Sequence, residues 1–254
     1  MKLLALGDVV GLRAVEHLEQ RLWAFRRAKD IGFVVANGEN ATEVRGLGAR
    51  EAERLLAAGV DVITLGDHTY RIRDLYPVLE ENPRVIRPAN FPPQSPGMGY
   101  TVLPTDAGKL LCMNVCGRAF MDPYADPFAA VETILKREAG GYDLSLLDVH
   151  AEATSEKLAM ARLFDGRVTV MFGTHTHVTT ADEQILPRGS GYQTDLGMCG
   201  PTDGILGSRT DVVLEKFRTL MPVHFLPAEG PVEAHGTLFT LDDNRVAAVE
   251  RVVF

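Results

Sequence analysis

Eight side chains hold most of the chemical potential of this sequence: Asp8, Glu39, Asn40, Asp67, His68, His150, His175 and His177. Carboxylates, a carboxamide and imidazoles are the oxygen and nitrogen donors that hold divalent cations. Their placement repeats. Asp8 follows one short apolar run, Glu39 and Asn40 a second, Asp67 and His68 a third. His150 ends the run 144–149, and His175 and His177 follow the run 168–172. Taken singly, an Asp after a strand is a turn former or a helix cap. One histidine alone is more often a satisfied core group than a ligand. In open α/β sheets, however, ligands bind beyond the carboxyl ends of the strands, where distant segments converge. Repetition at five such ends points to one metal crevice. In His175-Thr176-His177 an extended chain would turn both imidazoles to the same side.

The count narrows the chemistry. Seven donors, without a thiolate, are too many for one tetrahedral zinc. They suit two ions about 3.5 to 4 Å apart that share a carboxylate, an arrangement used to hydrolyse phosphate esters. Such ligands favour iron or manganese, with zinc or magnesium allowed.

The elements that must position these residues alternate along the chain. Strands are expected at 2–10, 31–36, 61–65 and 84–87, with helices at 14–28, 49–58 and 74–81. Hairpin strands follow at 100–103 and 110–115, then helix 129–138, strand 144–149, helix 155–164 and strand 168–172. A Gly- and Pro-rich last third carries a helix near 212–220 and closing strands near 237–241 and 246–253. This order predicts α/β, or an α+β variant, with sheets sandwiched between helices in a single domain over 1–254.

Composition sets the outer bounds. The chain has 254 residues, 46% of them hydrophobic and 24% charged, which excludes a disordered chain. Its 26 Lys and Arg against 34 Asp and Glu give a net charge of −8, which argues against long nucleic acid as a partner. No apolar run reaches the roughly 18 residues of a membrane span, so a cytoplasmic protein is expected. Cys112, Cys116 and Cys199 match no zinc spacing and read as buried reduced thiols.

The motifs Gly7-Asp8, Gly38-Glu39-Asn40, Gly66-Asp67-His68, His150 and Gly173-Thr174-His175-Thr176-His177 resemble the ordered motifs of calcineurin-like metallophosphoesterases. Longer blocks resemble their YmdB-like branch: Asn37 to Ala41, Arg87 to Pro92, His150 to Lys157, Gly173 to Val178 and Asp195 to Pro201. That resemblance implies a four-layered α/β/β/α sandwich, two metals, and hydrolysis of 2′,3′-cyclic nucleotides. It implies that Asp8, Glu39, Asn40 and His177 surround one metal, and that Glu39, Asp67, His150 and His175 surround the other. His68 would be the acid beside the leaving oxygen, with Arg45 and Arg118 as candidate phosphate-binding cations. The partner so implied is a small phosphate ester, and a homo-oligomer is permitted.

Two positions depart from the wider pattern. Val10 stands where the superfamily places a histidine, and Asn40 fills that gap. Gly-Asp-His replaces the usual Gly-Asn-His, so Asp67 adds a negative charge. A broad phosphomonoesterase stays open, as does a metal-containing regulatory protein that binds a nucleotide or an RNA-processing partner without turnover. An amidohydrolase fits less well, because its His-x-His pair normally ends the first strand.

Overall fold

The computed structural model describes residues 1–43 and 45–254. Its elements, in chain order, are β1 (Lys2–Val10), α1 (Leu12–Lys29), β2 (Phe33–Asn40), α2 (Ala49–Ala58), β3 (Val62–Thr64), α3 (Leu75–Glu81) and β4 (Val85–Ile86). The middle contains β5 (Tyr100–Thr105), β6 (Gly108–Cys116), α4 (Pro127–Arg137), β7 (Leu144–His150), α5 (Thr154–Phe164) and β8 (Val170–Thr174). The last part contains β9 (Gln184–Ile185), β10 (Gly191–Gln193), β11 (Met198–Pro201), α6 (Thr210–Thr219), β12 (Val232–Asp242) and β13 (Arg245–Val253).

Two sheets result. One runs β13-β12-β11-β1-β2-β3-β4, the other β5-β6-β7-β8-β10-β9. Strand β1 shows why they stack. Its side chains alternate between faces, and both faces are apolar. Leu4 and Leu6 pack with Val15, Leu18 and Leu22 of α1 and Leu55 of α2. Leu3 and Ala5 face the other way and meet Cys112, Leu146 and Phe172 of the second sheet. That sheet covers its outer face with Val131 and Ile134 of α4 and Met160 and Phe164 of α5. The order is therefore helix, sheet, sheet, helix: the four-layered α/β/β/α sandwich. Cys112, Cys116 and Cys199 are buried and unpaired, as their spacing suggested.

The differences from expectation are local and have causes. β2 extends to Asn40, so Glu39 and Asn40 belong to the strand rather than to a following turn. Its parallel pairing with β1 continues that far, through irregular steps at Asp8 and Val10. The short strands β9, β10 and β11 escaped prediction. Two to four residues carry too little periodicity, and the parallel partner of β11 lies at the other end of the chain. β11 pairs in parallel with β1 at Asp8↔Met198. The backbones approach closely there, and a Cβ on Gly7 would collide with the Gly197 carbonyl. Among the described residues, no helix is long and apolar enough to cross a membrane.

Candidate metal centre

The first sheet delivers Asp8 from β1, Glu39 and Asn40 from β2, and Asp67 and His68 from the turn after β3. The second delivers His150 as the last residue of β7, and His175 and His177 from the loop after β8. Because both sheets present their carboxyl ends to one edge of the sandwich, side chains up to 169 positions apart become neighbours. Gly66 makes room, since a Cβ there would run into the His150 ring and the Glu39 carboxylate.

The donors fall into two groups. Glu39, Asp67, His150 and His175 each offer one ligand atom, all within 4.8 Å of one another. At its centre, His150 Nε2 lies 3.1 Å from Glu39 Oε1, 3.2 Å from Asp67 Oδ1 and 3.0 Å from His175 Nδ1. In the second group, His177 Nε2 lies 3.3 Å from Asn40 Nδ2 and 3.6 Å from Asp8 Oδ1. Glu39 joins the two, its Oε1 being 3.4 Å from Asn40 Nδ2. Asp8 is wholly buried, yet its Oδ1 has no hydrogen-bond donor. An unpaired buried carboxylate oxygen is costly unless a cation meets it. With hard oxygens and imidazole nitrogens only, these residues suit divalent cations.

Electrostatics in the protein follow from that crowding. Burial alone would raise the Asp8 carboxyl, but His177 and His150 outweigh it and hold it below the usual carboxylate range. Glu39 behaves alike: burial opposes ionisation, while His150 and His68 drive it well down. Asp67 is likewise held far below its ordinary value, burial being overcome by His150 and His175. Conversely, burial would lower His150 and His177, but Glu39 and Asp67 raise the first and Asp8 the second. Both shifts favour the protonated imidazole, so a cation that binds these rings competes with protons. Metal affinity should fall as pH falls, by up to about tenfold per unit for each proton displaced. Calorimetric titration with Mn²⁺ in buffers of different ionisation enthalpy checks this; affinity independent of pH would contradict it.

A buried polar layer behind the ligands fixes their directions. His150 Nδ1 lies 2.9 Å from Thr174 Oγ1, which donates to Asp148 Oδ1 at 2.8 Å. Asp148 also accepts from Thr64 and Asn37, and burial pushes its carboxyl up to about 6. On the other side, Lys157 and Asp195 form a wholly buried ion pair at 2.6 Å. Asp195 further accepts from the backbone N–H groups of Thr176 and Gly197. His175 Nε2 is 3.1 Å from Glu152 Oε2, which leaves Nδ1 facing the donor group. The sequence reading assigned these residues no role, though an acid inside the apolar run 144–149 was a sign that Asp148 needed partners.

The His-x-His loop corrects one expectation. Neither histidine is extended: φ is 96° at His175 and 61° at His177. Such left-handed backbone is costly for non-glycine residues and persists where surroundings over-determine it. Here the Asp8 carboxylate accepts from the His175 N–H, and Asp195 from that of Thr176. Tertiary contacts, and not strand alternation, turn both rings inward.

His68 sits against Glu39, its backbone N–H donating to Oε2 at 2.9 Å and its Nδ1 to Oε1 at 3.1 Å. Nε2 is left on the other side, 3.5 Å from Asp67 Oδ2. A cleft of about 370 Å³ opens over the donors and is lined by His68, Glu39, Asn40, His175, His177 and Arg45, among others. Arg118 is not in that lining. It lies exposed after β6, with its backbone N–H bound by Glu156.

Proteins similar to this chain match it over nearly its full length. A 2′,3′-cyclic-nucleotide 2′-phosphodiesterase of Bacillus subtilis (strain 168) is 38% identical over 250 residues, spanning 98% of this chain and 95% of its own. A crystal structure of a hypothetical protein from Thermus thermophilus superposes with a TM-score of 0.95 at 40% identity, covering 100% of this chain and 99% of the other. A crystal structure from Mycoplasma pneumoniae, described as a novel phosphatase, gives 0.94 at 32% identity, with coverage of 100% and 93%. The family model described as YmdB-like protein matches residues 4–252, and so this chain belongs to the YmdB-like protein family.

Proposed function

We propose that this protein is a metal-dependent phosphodiesterase that hydrolyses 2′,3′-cyclic nucleotides or related phosphate esters. The observation that carries the reading is Glu39, a buried carboxylate standing between two donor groups at the floor of a cleft. The full-length similarity to the Bacillus subtilis phosphodiesterase supports it. Asp8, Glu39, Asn40 and His177 would hold one divalent ion, and Glu39, Asp67, His150 and His175 a second. Iron or manganese suits these donors best. When bound, such ions supply Lewis-acid charge for phosphoryl oxygens and make water acidic enough to attack near neutral pH.

The chain's own residues supply the rest. Glu39 accepts from the Nδ1–H of His68, so in the imidazolium form the Nε2 proton is the one free for transfer. As the new P–O bond forms and the bond to the ribose oxygen opens, His68 gives that oxygen its proton. Arg45, at the cleft wall, offsets charge on the phosphoryl group. Arg118, outside the lining, has no such part. The whole of 1–254 serves as one catalytic domain.

Manganese-loaded protein should cleave adenosine 2′,3′-cyclic phosphate faster than p-nitrophenyl phosphate, and chelation should abolish both. The reverse preference would make it a phosphomonoesterase. Metal retained without turnover of either ester would favour a binding protein.

Asp67 tunes this centre. Two divalent ions against Asp8, Glu39 and Asp67 leave one positive charge, whereas Asp67→Asn leaves two. The substitution should weaken metal retention and strengthen inorganic phosphate binding, each by about 1–3 kcal/mol in so shielded a place. Phosphate titration of metal-loaded wild type and variant reads both. If phosphate binds the variant no better at equal metal occupancy, Asp67 does not reach the metal.

A further inference from the structure

The cleft has two unlike halves. Its floor carries Glu39, Asn40, His68, His175 and His177, whereas Val10, Leu206, Val213, Phe217 and Phe225 form an apolar wall. Phe217 is 76% exposed on α6, a helix whose single buried residue is Val213. Its ring therefore does nothing for the core. An apolar ring left in water forfeits the stabilisation that burial would give it. Phe225 lies in the chain after α6 and is half-buried, with the Arg45 guanidinium 5.8 Å from its ring centroid. Two aromatic rings and a guanidinium thus stand beside a phosphate-ester site, in a volume at the small-molecule end of ligand pockets.

We propose that this wall is a nucleobase subsite, with Phe217 and Phe225 as its stacking surfaces, and that it selects nucleotides over phosphate esters lacking a base. The inference rests on the phosphodiesterase reading and goes one step further, to the part of the substrate that is not broken. In a 2′,3′-cyclic nucleotide the phosphate and the base are carried by the same ribose ring. If the phosphate sits at the donors, the base must occupy the same cleft. Every base has a π face, so stacking on phenylalanine tolerates all four. An acyl chain would suit an aliphatic wall equally well, but it would gain nothing from the rings and the guanidinium over Phe225. The volume also limits the guest to about one nucleotide rather than a length of RNA, in keeping with the acidic net charge.

The test compares substrates with and without a base. For manganese-loaded protein, KM is measured for adenosine 2′,3′-cyclic phosphate and for methyl riboside 2′,3′-cyclic phosphate. Wild type should favour the nucleotide, and Phe217→Ala or Phe225→Ala should shrink the ratio of the two KM values roughly tenfold, the lower range of base stacking on one aromatic. Phe217→Tyr should restore it. Calorimetry with adenosine 3′-phosphate and its baseless counterpart, which needs no turnover, should show the same collapse in the ratio of affinities. A ratio near unity in wild type, or one unmoved by both alanine variants, would overturn the subsite. Failure of wild type to cleave either ester would overturn the phosphodiesterase activity instead, and the calorimetric ratio would still decide the base-binding wall. Phe217 is exposed enough that its removal leaves the core intact; near-ultraviolet circular dichroism confirms the fold of each variant.

Discussion

Glu39→Gln should empty the metal centre. In the protein the Glu39 carboxylate lies against His150, Asn40 and His68 at once, and it is 1% exposed. Glutamine keeps the shape but removes the charge that both donor groups share. It also forces an amide against His150, which the carboxylate had held protonated. Metal content measured by plasma emission should drop from two ions per chain to below one. Turnover of adenosine 2′,3′-cyclic phosphate should fall on the order of 10³-fold or more, beyond the 10–100-fold typical of outer-shell partners. Two ions retained at wild-type affinity would show that Glu39 does not bridge, and the dinuclear reading would go with it.

His68→Ala should separate proton transfer from metal binding. The backbone N–H of residue 68 keeps its 2.9 Å bond to Glu39 Oε2 whatever the side chain, so the carboxylate stays in place. Both metals should therefore remain, while kcat on cyclic phosphodiesters falls roughly 10²-fold or more, the usual worth of a positioned acid. The loss should be smaller for an ester whose leaving group is a nitrophenol, because a weakly basic oxygen needs little help from an acid. Loss of metal together with activity would make His68 a ligand. An unchanged rate would make it a bystander.

Much of this centre was legible in the order of residues alone. Asp8, Asp67 and His150 stand out because short continuous apolar runs stop at polar donors, and that is a local pattern. Each run ends at or near the carboxyl end of its strand, so one architectural rule about carboxyl ends was enough to gather the donors. The face of α1 was readable from its own spacing: burial of Leu18 and Leu22 follows the helical repeat. Phe25, one turn after Leu22 on the same repeat, is half-buried against that core and also stacks on Phe254 at 4.1 Å, a contact with the far end of the chain. Arg118 lies outside the cleft lining, and a cation near a strand end carries no local signal of where its side chain goes.

Legible in the residues alone are the candidate donors, their place at strand ends and the order of the longer strands and helices. These depend on residue type and on repeats spanning a few positions. Only the tertiary structure decided that the two sheets face each other with their carboxyl ends at one edge, and hence that Glu39 touches both donor groups. It also decided the left-handed turns at His175 and His177, which depend on Asp8 and on an Asp195 carboxylate anchored by buried Lys157. The insertion of β11 beside β1, and the aromatic wall over the cleft, belong to the same class. Such contacts join residues scores to nearly two hundred positions apart. Their energies come from packing and from satisfying buried charge, and no local repeat in the chain encodes either.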